Sequence, residues 1–199
     1  MVRRKHDEGA MGKLTIRRHL YEVVPANAAE AIFSRHHDGT IHFKNKDVTF
    51  SGNDVDRLLC DDAIIAFDWD GNLGVVQRLY KAAFNRVPDQ DGLSANVAAI
   101  DAGLTKVDLA NAFLASPEGL AKYPPDASDA DYVRQLYKNV LNRLPENVEV
   151  DDWLQPQKPA SSTSRGEVLM GFSDSIENRK RFENFTLVGV LLTRSFFGV

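Results

Sequence analysis

The residues with the clearest chemical potential are acidic and closely spaced. Asp68-Trp69-Asp70-Gly71-Asn72 sets oxygen donors at alternate positions, the arrangement that hard cations prefer. A calcium loop of the helix–loop–helix kind also needs a bidentate acid at its twelfth position, and there the chain has Leu79. Asp89-Gln90-Asp91-Gly92 is a second fragment of this type. Asp68, Asp70, Asn72, Asp89 and Asp91 are thus weak calcium candidates, and turns or helix caps account for the same residues. All five histidines fall in the first 42 residues, with His36, His37, Asp38 and His42 around one turn. A metal centre needs defined ligand spacing and a second shell, so these read as polar turn residues. Cys60 stands beside Asp61 and Asp62, whose charges disfavour a thiolate. No Gly-x-Ser-x-Gly elbow, phosphate-binding glycine loop or His-Glu-x-x-His pair occurs. The expectation is a chain with no catalytic residue, metal or cofactor.

The elements that would position these residues change character near residue 70. Residues 14–69 read as a small β-rich region, with strand-like Leu14–Val24, Ile41–Phe43, Val48–Phe50 and Ala63–Phe67. Asn27–Ser34 fits a short helix. Beyond this the period is helical. Val76, Leu79, Tyr80, Ala83 and Val87 form one apolar face, and Val133, Leu136, Tyr137, Val140 and Leu144 repeat it. Pro88 and Pro145 close the two helices. Thr105-Lys106-Val107-Asp108, Ser128-Asp129-Ala130-Asp131 and Ser164-Arg165-Gly166-Glu167 are capping signals. The unit occurs twice, offset by 57 residues at its front and 59 at its back.

The fold class expected is mainly α with a small N-terminal β region, two tandem helical repeats packing as one domain. The boundaries are a basic arm at 1–13, the β-rich region at 14–69 and a helical domain at 70–185. The repeats lie at about 73–124 and 128–180, and an apolar segment follows at 186–199. Arg86 and Arg143 occupy equivalent positions, as do Glu118 and Glu177. Recurrence suggests a buried bidentate pair, Arg86 with Glu118 and Arg143 with Glu177. The apolar segment, with Leu187, Val190, Leu191, Phe196 and Phe197, either packs back on the domain or docks on another chain. Together with Arg3, Arg4 and Lys5 of the arm, it is the expected interface.

The stretch Arg78-Leu79-Tyr80-Lys81-Ala82-Ala83-Phe84-Asn85-Arg86-Val87-Pro88-Asp89-Gln90-Asp91-Gly92-Leu93 resembles the bacterial domain of unknown function 4214. So do Tyr132–Arg143 and Arg165–Asn178, and Ala66–Asn72 resembles the entry of that family. The likeness covers about residues 62–180. It implies a compact helical domain similar to phycobilisome linker domains, found in secreted surface proteins with calcium-binding repeats and in phage structural proteins. It implies no catalytic residues. The aromatic that usually follows Gly-Leu is missing after Leu93. Copy two lacks the Gly-Leu but offers Trp153, and the glycine-rich calcium repeats are absent.

Net charge is -4, with six Lys/Arg against two acids in residues 1–20, so the rest carries -8. An acidic body argues against nucleic-acid binding. The start has no apolar run of the secretory kind, and no stretch of 18 apolar residues could span a membrane. The expected function is that of a non-enzymatic structural or assembly protein, a component of a bacteriophage virion (tail, neck or capsid-associated) or a similar surface assembly. Its partners would be other protein chains, as a homo-oligomer or a larger assembly. It would be made in the bacterial cytoplasm without a signal peptide and placed in a virion or an extracellular assembly. The alternative is a secreted or cell-surface binding module of the calcium-repeat type, and the third an enzyme using the His-rich β region.

Overall fold

The structure, a computed structural model, describes residues 12–16, 19–53, 55–155, 164–183 and 187–199, with side chains from Tyr21 onward. The basic arm with Arg3, Arg4 and Lys5 lies outside the described residues, as does the Pro/Ser stretch 156–163. The chain is mainly α with a small N-terminal β region. Its strands are β1 Gly12–Ile16, β2 His19–Val23, β3 Ile32–Arg35, β4 Ile41–Lys44, β5 Thr49–Gly52, β6 Arg57–Leu59, β7 Ala63–Ala66 and β8 Val190–Thr193. Its helices are α1 Asn72–Phe84, α2 Gln90–Asp101, α3 Lys106–Ala115, α4 Pro117–Lys122, α5 Asp129–Leu141, α6 Asn147–Leu154, α7 Arg165–Ser173 and α8 Ile176–Lys180.

These elements group into two compact units. The first takes the chain up to Leu73, then Asp89–Ala102 and the C-terminal segment; the second takes Gly74–Pro88 and Gly103–Glu183. The boundary drawn near residue 70 is therefore crossed twice: α2 of copy one and the C-terminal segment both group with the strands.

In the first unit, five strands run in the order β1-β2-β6-β7-β8, with β2 and β6 parallel and the other neighbours antiparallel. β3, β4 and β5 make a separate antiparallel meander. β4 alternates, with Ile41 and Phe43 buried and His42 and Lys44 exposed, as a strand with one covered face must. β7 is buried at every position. Ile41, Phe43 and Phe50 from the meander pack with Leu58, Cys60, Ile65 and Phe67 into one core. The helix expected at Asn27–Ser34 is not formed. Asp62 accepts from the Ala28 and Ala29 amides at 2.6 and 3.1 Å, which holds a turn, and Ile32–Arg35 pairs with β4. A carboxylate 34 residues away thus outweighs the local helical preference.

The C-terminal segment is core, which corrects its assignment to other chains. β8 pairs with β7, and Leu192 and Phe197 are buried. The Thr193 amide donates to Ser94 Oγ of α2 at 2.8 Å, and its hydroxyl bonds Asp91 at 2.9 Å. Trp69 Nε1 donates to the Val188 carbonyl at 2.7 Å, and Arg194 Nη1 donates to the carbonyls of Cys60 and Asp61. Of the five residues proposed as interface, Leu187, Val190 and Leu191 are half-buried and only Phe196 is exposed.

In the second unit, α1, α3 and α4 of copy one correspond to α5, α7 and α8 of copy two. Leu79, Tyr80 and Phe113 are buried, and so are their counterparts Leu136, Tyr137 and Phe172. Each copy makes the same edge-to-face contact, Tyr80 on Phe113 at 4.8 Å and Tyr137 on Phe172 at 4.9 Å. Phe84 packs on Phe113 in copy one; in copy two Leu141 replaces that phenylalanine and Trp153 stacks on Phe172 at 4.6 Å. The copies fill the same volume from different helices. Thr105, Ser128 and Ser164 cap α3, α5 and α7 through the amides of Asp108, Asp131 and Glu167. The α3–α7 contact is close, since a Cβ on Gly166 would collide with Asn111, whose Oδ1 accepts from the Gly166 amide. Tyr123, a phenol pushed up to about 12 by burial, donates to the Ala82 carbonyl and accepts from Asn139, bridging α1 and α5. A Phe172→Ala chain is expected to lose about 3–5 kcal/mol, measured by urea unfolding, because two aromatic contacts go and a cavity remains.

Candidate interaction surface

Of the oxygen donors singled out near residue 70, Asp68 does hold a cation, but it is a guanidinium. Arg57 is fully buried and donates through Nε and Nη2 to the two oxygens of Asp68 at 3.0 and 2.9 Å. Its Nη1 reaches Asp101 at 2.6 Å and the Tyr21 hydroxyl at 3.0 Å. The rings of Tyr21 and Phe197 lie 5.8 and 5.6 Å from its Cζ. Burial works against the charge, but Asp68, Tyr21 and Asp101 outweigh it and hold Arg57 more firmly protonated than a free arginine. Asp68 also accepts from the Leu73 amide, and Asn72 donates to Asp101. The side chains of Asp68 and Asp101 are 4% and 1% exposed, so this network is closed off from solvent. Its role is to join β2, β6, α2 and the C-terminal turn.

Of the other calcium candidates, Asp89 and Asp91 carry structural duties. Asp89 caps α2 by accepting from the Gly92 amide at 2.8 Å, Asp91 holds Thr193, and Asp70 is exposed. His36 and His42 face each other with ring centroids 4.5 Å apart, and both are exposed with His37. Asp38 accepts from the Thr40 amide, which lowers its pKa. Among the described residues, no group of three or more His, Cys, Asp or Glu could hold a metal ion. The Cys60 thiol is pushed up to about 12 by burial and by Asp62 and Asp61. Among the described residues, no helix is long and apolar enough to cross a membrane.

The repeated feature at the surface is a pair of arginine clamps. Arg86 Nε and Nη2 bond the two Glu118 oxygens, each at 3.0 Å, and Arg143 bonds Glu177 at 3.0 and 3.1 Å. Each arginine also donates to the carbonyl after it, that of Val87 or Leu144. Each lies over the tyrosine of its own copy, at 5.3 Å from Tyr80 and 4.7 Å from Tyr137. Arg143 additionally holds Glu149 with two bonds of 2.8 Å. The clamps were expected to be buried. They are not, with side chains 37–44% exposed, because the acids sit at the N-terminal turns of α4 and α8 on the rim of the unit. Exposed pairs contribute little to stability, so their effect is to fix the geometry of the turns they join.

Those turns display apolar side chains. Val87 is 76% exposed and Leu144 78%, although both continue the apolar period of their helices. The helices stop before them: Asn85 and Asn142 adopt left-handed backbone at φ 54° and 50°, turning the next two residues outward. Ile176 and Val148, 76% and 61% exposed, each precede in sequence a glutamate held by Arg143, and Leu144 follows Arg143 itself. Leu120, 43% exposed, follows Glu118 on α4.

The family profile named for a domain of unknown function, DUF4214, matches residues 72–123 and again 110–182. The chain belongs to this family. No curated protein and no solved structure gives a match. Both clamps and Val87, Leu120, Leu144, Val148 and Ile176 lie inside the DUF4214 matches, whereas Tyr21, Arg57 and Asp68 and the exposed Ile32, Val188 and Phe196 lie outside them. Val87 and Leu144 were missed as surface because the helical period runs on past the stop. The signal in each DUF4214 copy is an asparagine, then arginine, an apolar residue and proline.

Glu149 gives the clamp a pH signature. Arg143, and after it the Glu146 amide, hold its carboxyl down at about 2, against an ordinary 4.5. The folded value is the lower one, so the stabilisation is complete above 4.5 and disappears as pH falls towards 2. Thermal melts between pH 6 and about 2 are expected to show a shallower acid decline for Glu149→Gln than for the unaltered chain.

Proposed function

We propose that the chain is a non-enzymatic structural protein that joins other protein chains, as a component of a bacteriophage virion or a comparable bacterial surface assembly. The observation that carries this reading is the exposed apolar set beside a fixed clamp in both copies. Exposed apolar groups gathered on a rigid, polar-rimmed surface are what docking partners cover. The strongest polar network, around Arg57, is saturated and closed, which favours scaffold over catalyst. The placement in a virus particle leans on the kinds of protein in which such helical units occur.

The test is co-sedimentation. A tagged chain produced in its own host is expected to travel with the purified particle or surface assembly on a density gradient. A Val87→Asp, Leu144→Lys double variant with an unchanged circular dichroism spectrum is expected to stay in the soluble fraction. A chain found only as free protein in both cases overturns the reading.

A further inference from the structure

We propose that the β3–β4 hairpin binds one divalent transition-metal ion of the copper, nickel and zinc class, with His36 and His42 as its two protein ligands. The site lies on the strand-containing unit, outside the DUF4214 matches, and goes beyond the assembly reading.

The hairpin brings together two rings that stand apart in the sequence. The Gly39 amide donates to the His36 carbonyl at 2.9 Å, and the His36 amide donates to the Thr40 carbonyl at 2.8 Å. Gly39 adopts φ 87°, the left-handed conformation that closes this kind of hairpin loop. Pairing then continues with Arg35 opposite Ile41 and Ser34 opposite His42. Side chains alternate along a strand, so His36 shares a face with Ser34 and hence with His42. It is the outward face: Ile41 and Phe43 are buried, while His42 and Lys44 are exposed. A backbone fixed by the core beneath it thus sets a diagonal pair of imidazoles on the surface.

The distance between the rings suits a shared ion. Two imidazoles bonded to one ion at about 2.0–2.1 Å, with the bonds at about 90–109°, have ring centroids about 4.5–5.2 Å apart. His36 and His42 stand at 4.5 Å, their planes inclined at 56° rather than stacked face to face. Both are exposed, so an ion reaches them from solvent. Asp38 adds negative charge near His36: its carboxyl is held low first by the Thr40 amide and, in smaller part, by the His36 ring. Lys44 is the opposing charge on the outward face of β4. Among the described residues no third His, Cys, Asp or Glu joins the pair, so water completes the coordination and the ion is exchangeable. Of the three ions, Cu2+ should bind most tightly.

Isothermal titration calorimetry on the full, untagged chain tests this, with the chlorides of Cu2+, Ni2+ and Zn2+ in a non-coordinating buffer. One ion per chain is expected at about pH 7.5, with weaker binding at about pH 5, because the metal must displace protons from imidazole. Loss of an outer-shell partner alone costs about 10–100-fold in metal affinity, so His36→Ala and His42→Ala should each weaken binding at least about tenfold. His37→Ala, at an exposed position outside the pair, should bind as the unaltered chain does. Circular dichroism melts without metal confirm that the variants are folded; His36→Gln and His42→Gln replace an alanine variant that is not. No saturable binding of any of the three ions, a site that survives either replacement, or an equal loss in His37→Ala overturns the proposal. None of these results bears on co-sedimentation with a particle, which decides the assembly reading separately.

Discussion

An Arg57→Ala chain is expected to lose about 3–5 kcal/mol of stability, because it leaves two carboxylates buried without their cation. Asp68 and Asp101 are 4% and 1% exposed and both lean on the guanidinium, as does the Tyr21 hydroxyl. Whole domains are stable by about 5–15 kcal/mol, so the loss brings the strand-containing unit close to unfolding at room temperature. Arg57→Lys keeps the charge but cannot reproduce the two parallel bonds to Asp68 together with those to Asp101 and Tyr21, and it should fall between. The size of the effect belongs to the unpaired charges. A concerted replacement of Arg57, Asp68 and Asp101 by apolar groups of similar volume should cost far less than Arg57→Ala alone. Urea unfolding followed by circular dichroism reads the difference; Arg57→Ala within about 1 kcal/mol of the unaltered chain would contradict the buried network.

Truncation after Gly189 is expected to be more damaging still. It removes β8, uncovers Ile64 and Ile65 on β7, and takes Phe197 away from Arg57. It also strips Ser94 and Asp91 of α2 of their bonds to Thr193. Burying Leu192 and Phe197 contributes about 1.5–3 kcal/mol each, before the lost pairing is counted. The truncated chain should exchange the β7 amides rapidly and bind a hydrophobic dye, while α5 and α7 retain protection. A truncated chain with unaltered β7 protection would return the segment to the role of an interface.

How much of this was legible follows from the range of each interaction. The caps at Thr105, Ser128 and Ser164 are settled within three residues and could be read directly. The Arg86–Glu118 and Arg143–Glu177 pairs span 32 and 34 residues, and recurrence across the duplication made them visible. Their exposure was not visible, because recurrence says nothing about depth. The strand at Ile32–Arg35 was hidden because its competitor, the turn held by Asp62, is set by a distant carboxylate. Asp68 was noticed as an oxygen donor, but its partner Arg57 gives no periodic signal, and its other partners come from β2 and α2. Composition alone could not separate a buried C-terminal strand from an exposed one, since both require the same apolar residues.

The pairing of β7 with β8 also sets a schedule. Ala63–Ala66 leaves the ribosome roughly 120 residues before Val190–Thr193, a delay of about 10 s at ordinary elongation speeds. Throughout that interval the chain carries an open, apolar sheet edge that its own later residues must close. The nascent protein is then a substrate for chaperones or a strand acceptor for neighbouring nascent chains, and yield should respond to translation rate and to trigger-type holdases more than the modest size of the protein would suggest.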